Sequence, residues 1–109
     1  MNSNYQNIAS LETLDDLFQQ SAAEPIVLFK HSNSCGTSAY VHEIMAEVPG
    51  NVHIVTVQER RDVSNAIADR TGIRHQTPQV FIIKNGEVAY SASHYSISPD
   101  DIAKTIASL

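Results

Sequence analysis

Apolar residues return at helical spacing from the start of the chain: Leu11, Leu14, Leu17 and Phe18 follow Ser10, a good N-cap, with Glu12 in the first turn. This spacing predicts a helix over about residues 10–22. Pro25 then opens Ile26-Val27-Leu28-Phe29, an unbroken aliphatic and aromatic run suited to a strand buried on both faces. A polar stretch, His31-Ser32-Asn33-Ser34, leads into Cys35-Gly36-Thr37-Ser38. Val41, Ile44, Met45 and Val48 then mark a second helix that Pro49-Gly50 stops. The β-branched stretch Val52 to Val57 predicts a strand. Val63, Ala66, Ile67 and Arg70 set a third helix, closed by Gly72. Val80-Phe81-Ile82-Ile83 is a further strand, and Asn85-Gly86 after it is the strongest hairpin signal in the chain, returning Glu87 to Ala92 antiparallel. Ser98-Pro99-Asp100-Asp101 combines an N-cap, an N1 proline and first-turn acids, opening a last helix along Ile102, Ile106 and Leu109.

Helices alternating with strands predict an α/β fold in one domain spanning residues 1–109. Strands joined through helices are expected to run parallel, with the hairpin adding an antiparallel edge. The order of elements resembles the thioredoxin-like fold, a central mixed β-sheet flanked by helices, with an extra short strand near Asn7-Ile8.

Composition narrows the classes of function. Hydrophobic residues make up 42% and charged residues 17%, as in an ordinary folded domain. A formal charge of −5 argues against nucleic acid as a partner, because phosphate binding draws on a basic surface. No aliphatic run is long enough to span a bilayer, and MNSNYQNIAS has neither the basic nor the apolar part of a secretory signal. A cytoplasmic setting without membrane partners is the expectation. A single cysteine cannot form an internal disulfide.

That cysteine carries the chemistry. Cys35 falls where a buried strand ends and a helix begins, and a helix N-terminus offers unpaired N–H groups and a positive dipole end that favour a thiolate. A free cysteine is often simply a small buried hydrophobe. Here the neighbours Ser32, Asn33, Ser34, Gly36, Thr37 and Ser38 are small or polar, which favours a reactive thiol. Gly36 leaves the sulfur open to a bulky partner, and the Ser38 hydroxyl is placed in sequence to donate to it. Thr77-Pro78, read alone, is a strand stop. In a thioredoxin arrangement it lies opposite the helix bearing Cys35, where a cis peptide would expose the Thr77 backbone to an extended substrate.

Phe29-Lys30-His31-Ser32 before Cys35, Ser38 after it, Val57-Gln58-Glu59-Arg60, Ser64 to Ala68, Gly72-Ile73-Arg74-His75, Thr77-Pro78-Gln79 and Ala92-Ser93-His94 together resemble the monothiol bacilliredoxin family, across nearly the whole chain. The resemblance implies thiol–disulfide exchange in which Cys35 is the nucleophile and Pro78 the cis-proline. It also implies S-bacillithiolated proteins as substrates, with bacillithiol as a low-molecular-weight thiol co-substrate and no other cofactor. With no cysteine at position 38, regeneration falls to a second thiol or a separate redoxin or reductase. Where the family usually has proline after the cysteine, this chain has Gly36.

Other signals are weaker. His31, His75 and His94 each lie near a strand end that could border Cys35, while His42 and His53 read as solvated. Gln58-Glu59-Arg60 reads equally as a docking surface or as a loop held by ordinary hydrogen bonds, and the tyrosines as packing or rim residues. No CxxC or HxxxH spacing supports a metal, and no glycine-rich loop supports a nucleotide. Two rival functions stand beside exchange. Cys35-Gly36-Thr37-Ser38 resembles the CGFS motif of monothiol glutaredoxins, which implies an iron–sulfur cluster carrier. A binding module with a spare cysteine would keep the fold without the reaction.

Overall fold

A computed structural model describes residues 4–109; of the expected domain, residues 1–3 lie outside the described part. Nine regular elements follow one another: β1 (Tyr5–Asn7), α1 (Leu11–Gln20), β2 (Ile26–His31), α2 (Gly36–Ile44), β3 (Val52–Thr56), α3 (Arg61–Thr71), β4 (Gln79–Lys84), β5 (Glu87–Ser93) and α4 (Pro99–Ala107). Short 3-10 turns at Met45–Glu47 and His94–Ser96 complete the chain. Two expectations shift in extent. The second helix begins at Gly36 and gives way to a 3-10 turn at Met45, before Pro49 is reached, and the extra strand is Tyr5–Asn7, just before Ile8.

The five strands form one sheet in the order β1-β3-β2-β4-β5. Period-two alternation along β2 splits its side chains between two cores. Val27 and Phe29 join Val41 of α2 and Ile102 of α4 on one face. Ile26 and Leu28 join Leu14 of α1 and Val63 and Ile67 of α3 on the other. The helix ends follow the local chemistry: the Ser10 and Ser98 hydroxyls accept from Thr13 N–H and Asp101 N–H, and Gly72 closes α3 in the left-handed region at φ 70°. Asn85 and Gly86, at φ 55° and 75°, make the hairpin turn between β4 and β5.

One expected strand direction is wrong. β1, β3 and β2 are parallel, but β4 runs antiparallel to β2 although α3 leads into it. The reason is the stretch after α3. Eleven helical residues advance about 16 Å, and the seven non-helical residues 72–78 can span up to about 23 Å. The chain is therefore free to return to the end of the sheet it left, where Gln79 pairs with Lys30 next to the last residue of β2. A parallel β4 would have put Thr77-Pro78 at the far end, away from Cys35.

Candidate functional site

Cys35 is the N-cap residue of α2, in extended conformation (φ −118°, ψ 125°), and the residue is partly exposed. Its carbonyl accepts the first helical bond, from Ala39 N–H at 3.0 Å. The N–H groups of Gly36, Thr37 and Ser38 have no carbonyl to bond within the helix, so the first turn presents donors toward a negative charge at its mouth. At Gly36 a Cβ would meet nothing within 4 Å, so this position is open.

The Thr77–Pro78 peptide is cis, and Pro78 is buried directly before β4. Two contacts tie this bend to the helix of Cys35. His94 N–H donates to the Pro78 carbonyl at 3.0 Å. Next to His94, Tyr95 receives a hydrogen bond from the Thr37 hydroxyl at 3.5 Å. Thr37 and Pro78 thus border one region at the C-terminal end of β2. Among the described residues, no other backbone group pairs with the Thr77 backbone, which stays available as an edge. Gln79 fixes the turn ahead of it: its side-chain carbonyl accepts from Gln76 N–H at 3.2 Å, and its amide donates to the Arg74 carbonyl at 3.0 Å.

Ser38 does something other than its sequence position suggests. It is fully buried, and its Oγ lies 2.7 Å from His31 Nδ1 and accepts from Ser32 N–H at 2.9 Å. The hydroxyl closes the loop between β2 and α2 instead of turning to the sulfur. His31 is therefore in the site region, but as a support for that loop. Its ring packs in tilted contact with Phe29 and His42 at centroid distances of 5.6 and 4.9 Å. Burial, and secondarily the neighbouring His42, push its pKa below the ordinary histidine value. His42 is not a solvated position either: it sits 4.5 Å from the ring of Tyr5, whose hydroxyl donates to the His42 carbonyl at 2.6 Å. His53 on β3 is half-buried, and burial lowers its pKa as well. The solvated reading fails for both residues because β1 lies against them, Tyr5 on the His42 ring and Gln6 in register with His53, and local sequence does not encode that packing.

His75 stands on the α3 side of the bend, with Nδ1 3.4 Å from Ser64 Oγ, and burial with the nearby cations Lys30 and Arg61 lowers its pKa. His94 joins the site through its backbone, held at φ 52°. Tyr40 and Tyr95, 50% and 77% exposed with ring centroids 6.0 Å apart, form an aromatic rim beside Thr37. Tyr90 packs against the core instead. Sequence reasoning missed Lys30: its side chain is wholly buried under α3, its amine donates to the Ser64 carbonyl at 3.1 Å, and burial lowers its pKa to about 8. A lysine at the end of an apolar strand run was the available signal. Among the described residues, no three metal-ligating side chains converge, and no helix is long and apolar enough to cross a membrane.

A family model described as monothiol bacilliredoxin BrxC matches residues 6–102. The chain belongs to that family. Among solved structures it is similar to a protein described as a candidate oxidoreductase with a thioredoxin fold, at 24% identity and a TM-score of 0.84, covering 93% of this chain and 92% of that one. It is also similar to thioredoxin of Malassezia sympodialis, at 18% identity and TM-score 0.71 with 98% and 91% coverage. Mitochondrial thioredoxin 3 of Saccharomyces cerevisiae gives 14% identity and TM-score 0.72 with 96% and 95% coverage. These likenesses establish the thioredoxin fold of this bacilliredoxin, and the family indicates a thiol–disulfide redox function.

Proposed function

We propose that this bacilliredoxin removes bacillithiol from mixed disulfides on proteins, with Cys35 as its only nucleophile. The observation that carries the reading is a lone, partly exposed cysteine capping α2 at the same end of the sheet as the free Thr77 backbone. In the reaction, the Cys35 thiolate attacks the bacillithiol sulfur of a protein–bacillithiol disulfide. A new disulfide forms between Cys35 and bacillithiol, the old S–S bond breaks, and its electron pair leaves with the protein thiolate. The first-turn N–H groups of α2 favour the attacking anion. The Thr77 edge offers backbone pairing to an extended segment of the protein substrate, and Thr37 and Pro78 border the place where the two sulfurs meet.

Position 38 holds a serine and the chain has no second cysteine, so the adduct is resolved by another molecule. A second bacillithiol thiolate attacks the bacillithiol sulfur of the adduct, releasing bacillithiol disulfide and regenerating the Cys35 thiolate; a separate redoxin or reductase serves the same end. The reducing cytoplasm is the setting this cycle fits. The family match over residues 6–102 favours this reading over an iron–sulfur carrier, whose support is confined to residues 35–38 and the similar strand opening at Thr77-Pro78.

Intact-mass analysis after mixing with a bacillithiol-modified protein tests the proposal. The expected result is one bacillithiol gained by the wild type and none by Cys35→Ala. A wild type that gains no mass refutes it.

A further inference from the structure

Gln58 follows β3 and is far in sequence from the nucleophile, yet its side-chain amide reaches three consecutive residues ahead of Cys35. Its Nε2 donates to Ser32 Oγ at 2.7 Å and to Ser34 Oγ at 3.1 Å, and its Oε1 accepts from Asn33 N–H at 3.2 Å. Ser32 is the buried member of the three. Its Oγ also accepts from Ser34 N–H at 3.3 Å, so Gln58 completes a closed set of bonds around a loop that has no regular structure of its own. On the opposite side, Ser38 Oγ binds Ser32 N–H. Ser32 is thereby gripped through its backbone by α2 and through its hydroxyl by the segment after β3.

We propose that Gln58 is a positioning residue for Cys35, an amide clamp that holds the loop 32–34 so that the sulfur stays at the N-terminus of α2. Three features support it. The amide uses its acceptor and its Nε2 donor group on the same loop, a use of glutamine that neither a carboxylate nor an ammonium reproduces in full. The clamp spans two loops at the site end of the sheet, one following β2 and the other following β3, and these strands are parallel neighbours that place both loops at one end. Gln58 itself is exposed, so its hydrogen bonds contribute little to the core, and its geometric effect is separable from folding. Within Gln58-Glu59-Arg60, Gln58 bonds to the cysteine loop, and Arg60 pairs with Asp62 at 2.6 Å. The inference rests on the redox reading only for the identity of the disulfide used as substrate.

The test is Gln58→Met, which keeps the length of the side chain and removes all three bonds, studied alone and combined with Ser32→Ala. Alkylation of Cys35 by iodoacetamide is followed across pH, alongside bacillithiol transfer and urea unfolding. Gln58→Met is expected to leave the unfolding midpoint in place and to slow alkylation at neutral pH and bacillithiol transfer by about tenfold, because a loosened Cys35 spends less time against the helix N–H groups that favour an attacking anion. The double variant is expected to be no slower than the slower single variant, since both substitutions open one clamp. An unchanged alkylation rate in Gln58→Met overturns the inference, as does a double variant whose losses multiply. Alkylation involves no bacillithiol, so a wild type that fails to accept bacillithiol refutes the proposed function while the clamp is still decided by the alkylation data.

Discussion

The two central strands differ sharply between their middle and their site end. In the middle, Leu28 and Phe29 on β2 face Phe81 and Val80 on β4, and all four are fully buried and apolar. One or two residues further along β2, at the end facing Cys35, the buried groups become polar: Lys30 pairs in register with Gln79, Ser64 of α3 lies over the lysine, and His31 supports Ser38. Apolar burial in the middle stabilises the fold through area removed from water. Burial of polar groups at the site end is costly or neutral and is spent on geometry: Gln79 holds the turn before Thr77, and Ser38 with His31 holds the turn before Cys35. The sheet is thus a stable platform with a polar, function-shaped end.

Four changes would break or sharpen that contrast, taken here from the largest expected effect to the smallest. Phe81→Ala, in the middle, should lower the unfolding free energy by about 3–5 kcal/mol by opening a cavity; a loss below about 1 kcal/mol in urea titration would mean the middle is not where stability resides. Lys30→Met, at the site end, should act in the opposite direction and raise stability by roughly 1–4 kcal/mol, because a wholly buried ammonium with one carbonyl partner is replaced by an apolar chain. The sign has a pH signature. The folded-state pKa is depressed from 10.5 to about 8, so the wild type should recover stability relative to Lys30→Met as pH rises from about 8 toward 10.5. A difference between the two proteins that does not change between pH 7 and 10 would contradict this.

Gly36→Pro should raise stability by roughly 0.4–1 kcal/mol. Gly36 is the first residue of α2, a Cβ there meets nothing within 4 Å, and Cys35 already has the extended backbone that a following proline requires. A lowered unfolding midpoint would show that the chain resists the proline usual in the family. The gentlest effect is the pH dependence of His31 and His53. Both pKa values are lowered chiefly by burial, so the stability they contribute is complete above the ordinary value of 6.5 and is lost as pH falls through their folded-state values. His31→Phe should flatten the decline in unfolding midpoint between pH 7 and 5.5, and an unchanged slope would remove His31 from the account.

Most of the fold was legible because its signals are local. Ser10, Gly72, Asn85-Gly86 and Ser98-Pro99 mark boundaries through backbone and hydrogen-bonding preferences that act within a few residues, and each one is found in the structure. Cys35 at a strand–helix junction was legible for the same reason. What surrounds it was not: the turning of Ser38 toward His31, the stacking of His42 on Tyr5, and the reach of Gln58 across to Ser32 and Ser34 all join segments that only packing brings together.

The sequence by itself determined the order of helices and strands, the two-sided burial of β2, and a single cysteine at the start of α2, since periodicity, caps and residue counts need no knowledge of distant neighbours. Tertiary structure alone decided the direction of β4. A helix followed by an extended connection can return the chain to either end of a sheet, and the choice rests on which strand edge and which faces remain to be buried. That choice set Thr77-Pro78 beside the loop of Cys35 and made one end of the sheet a site.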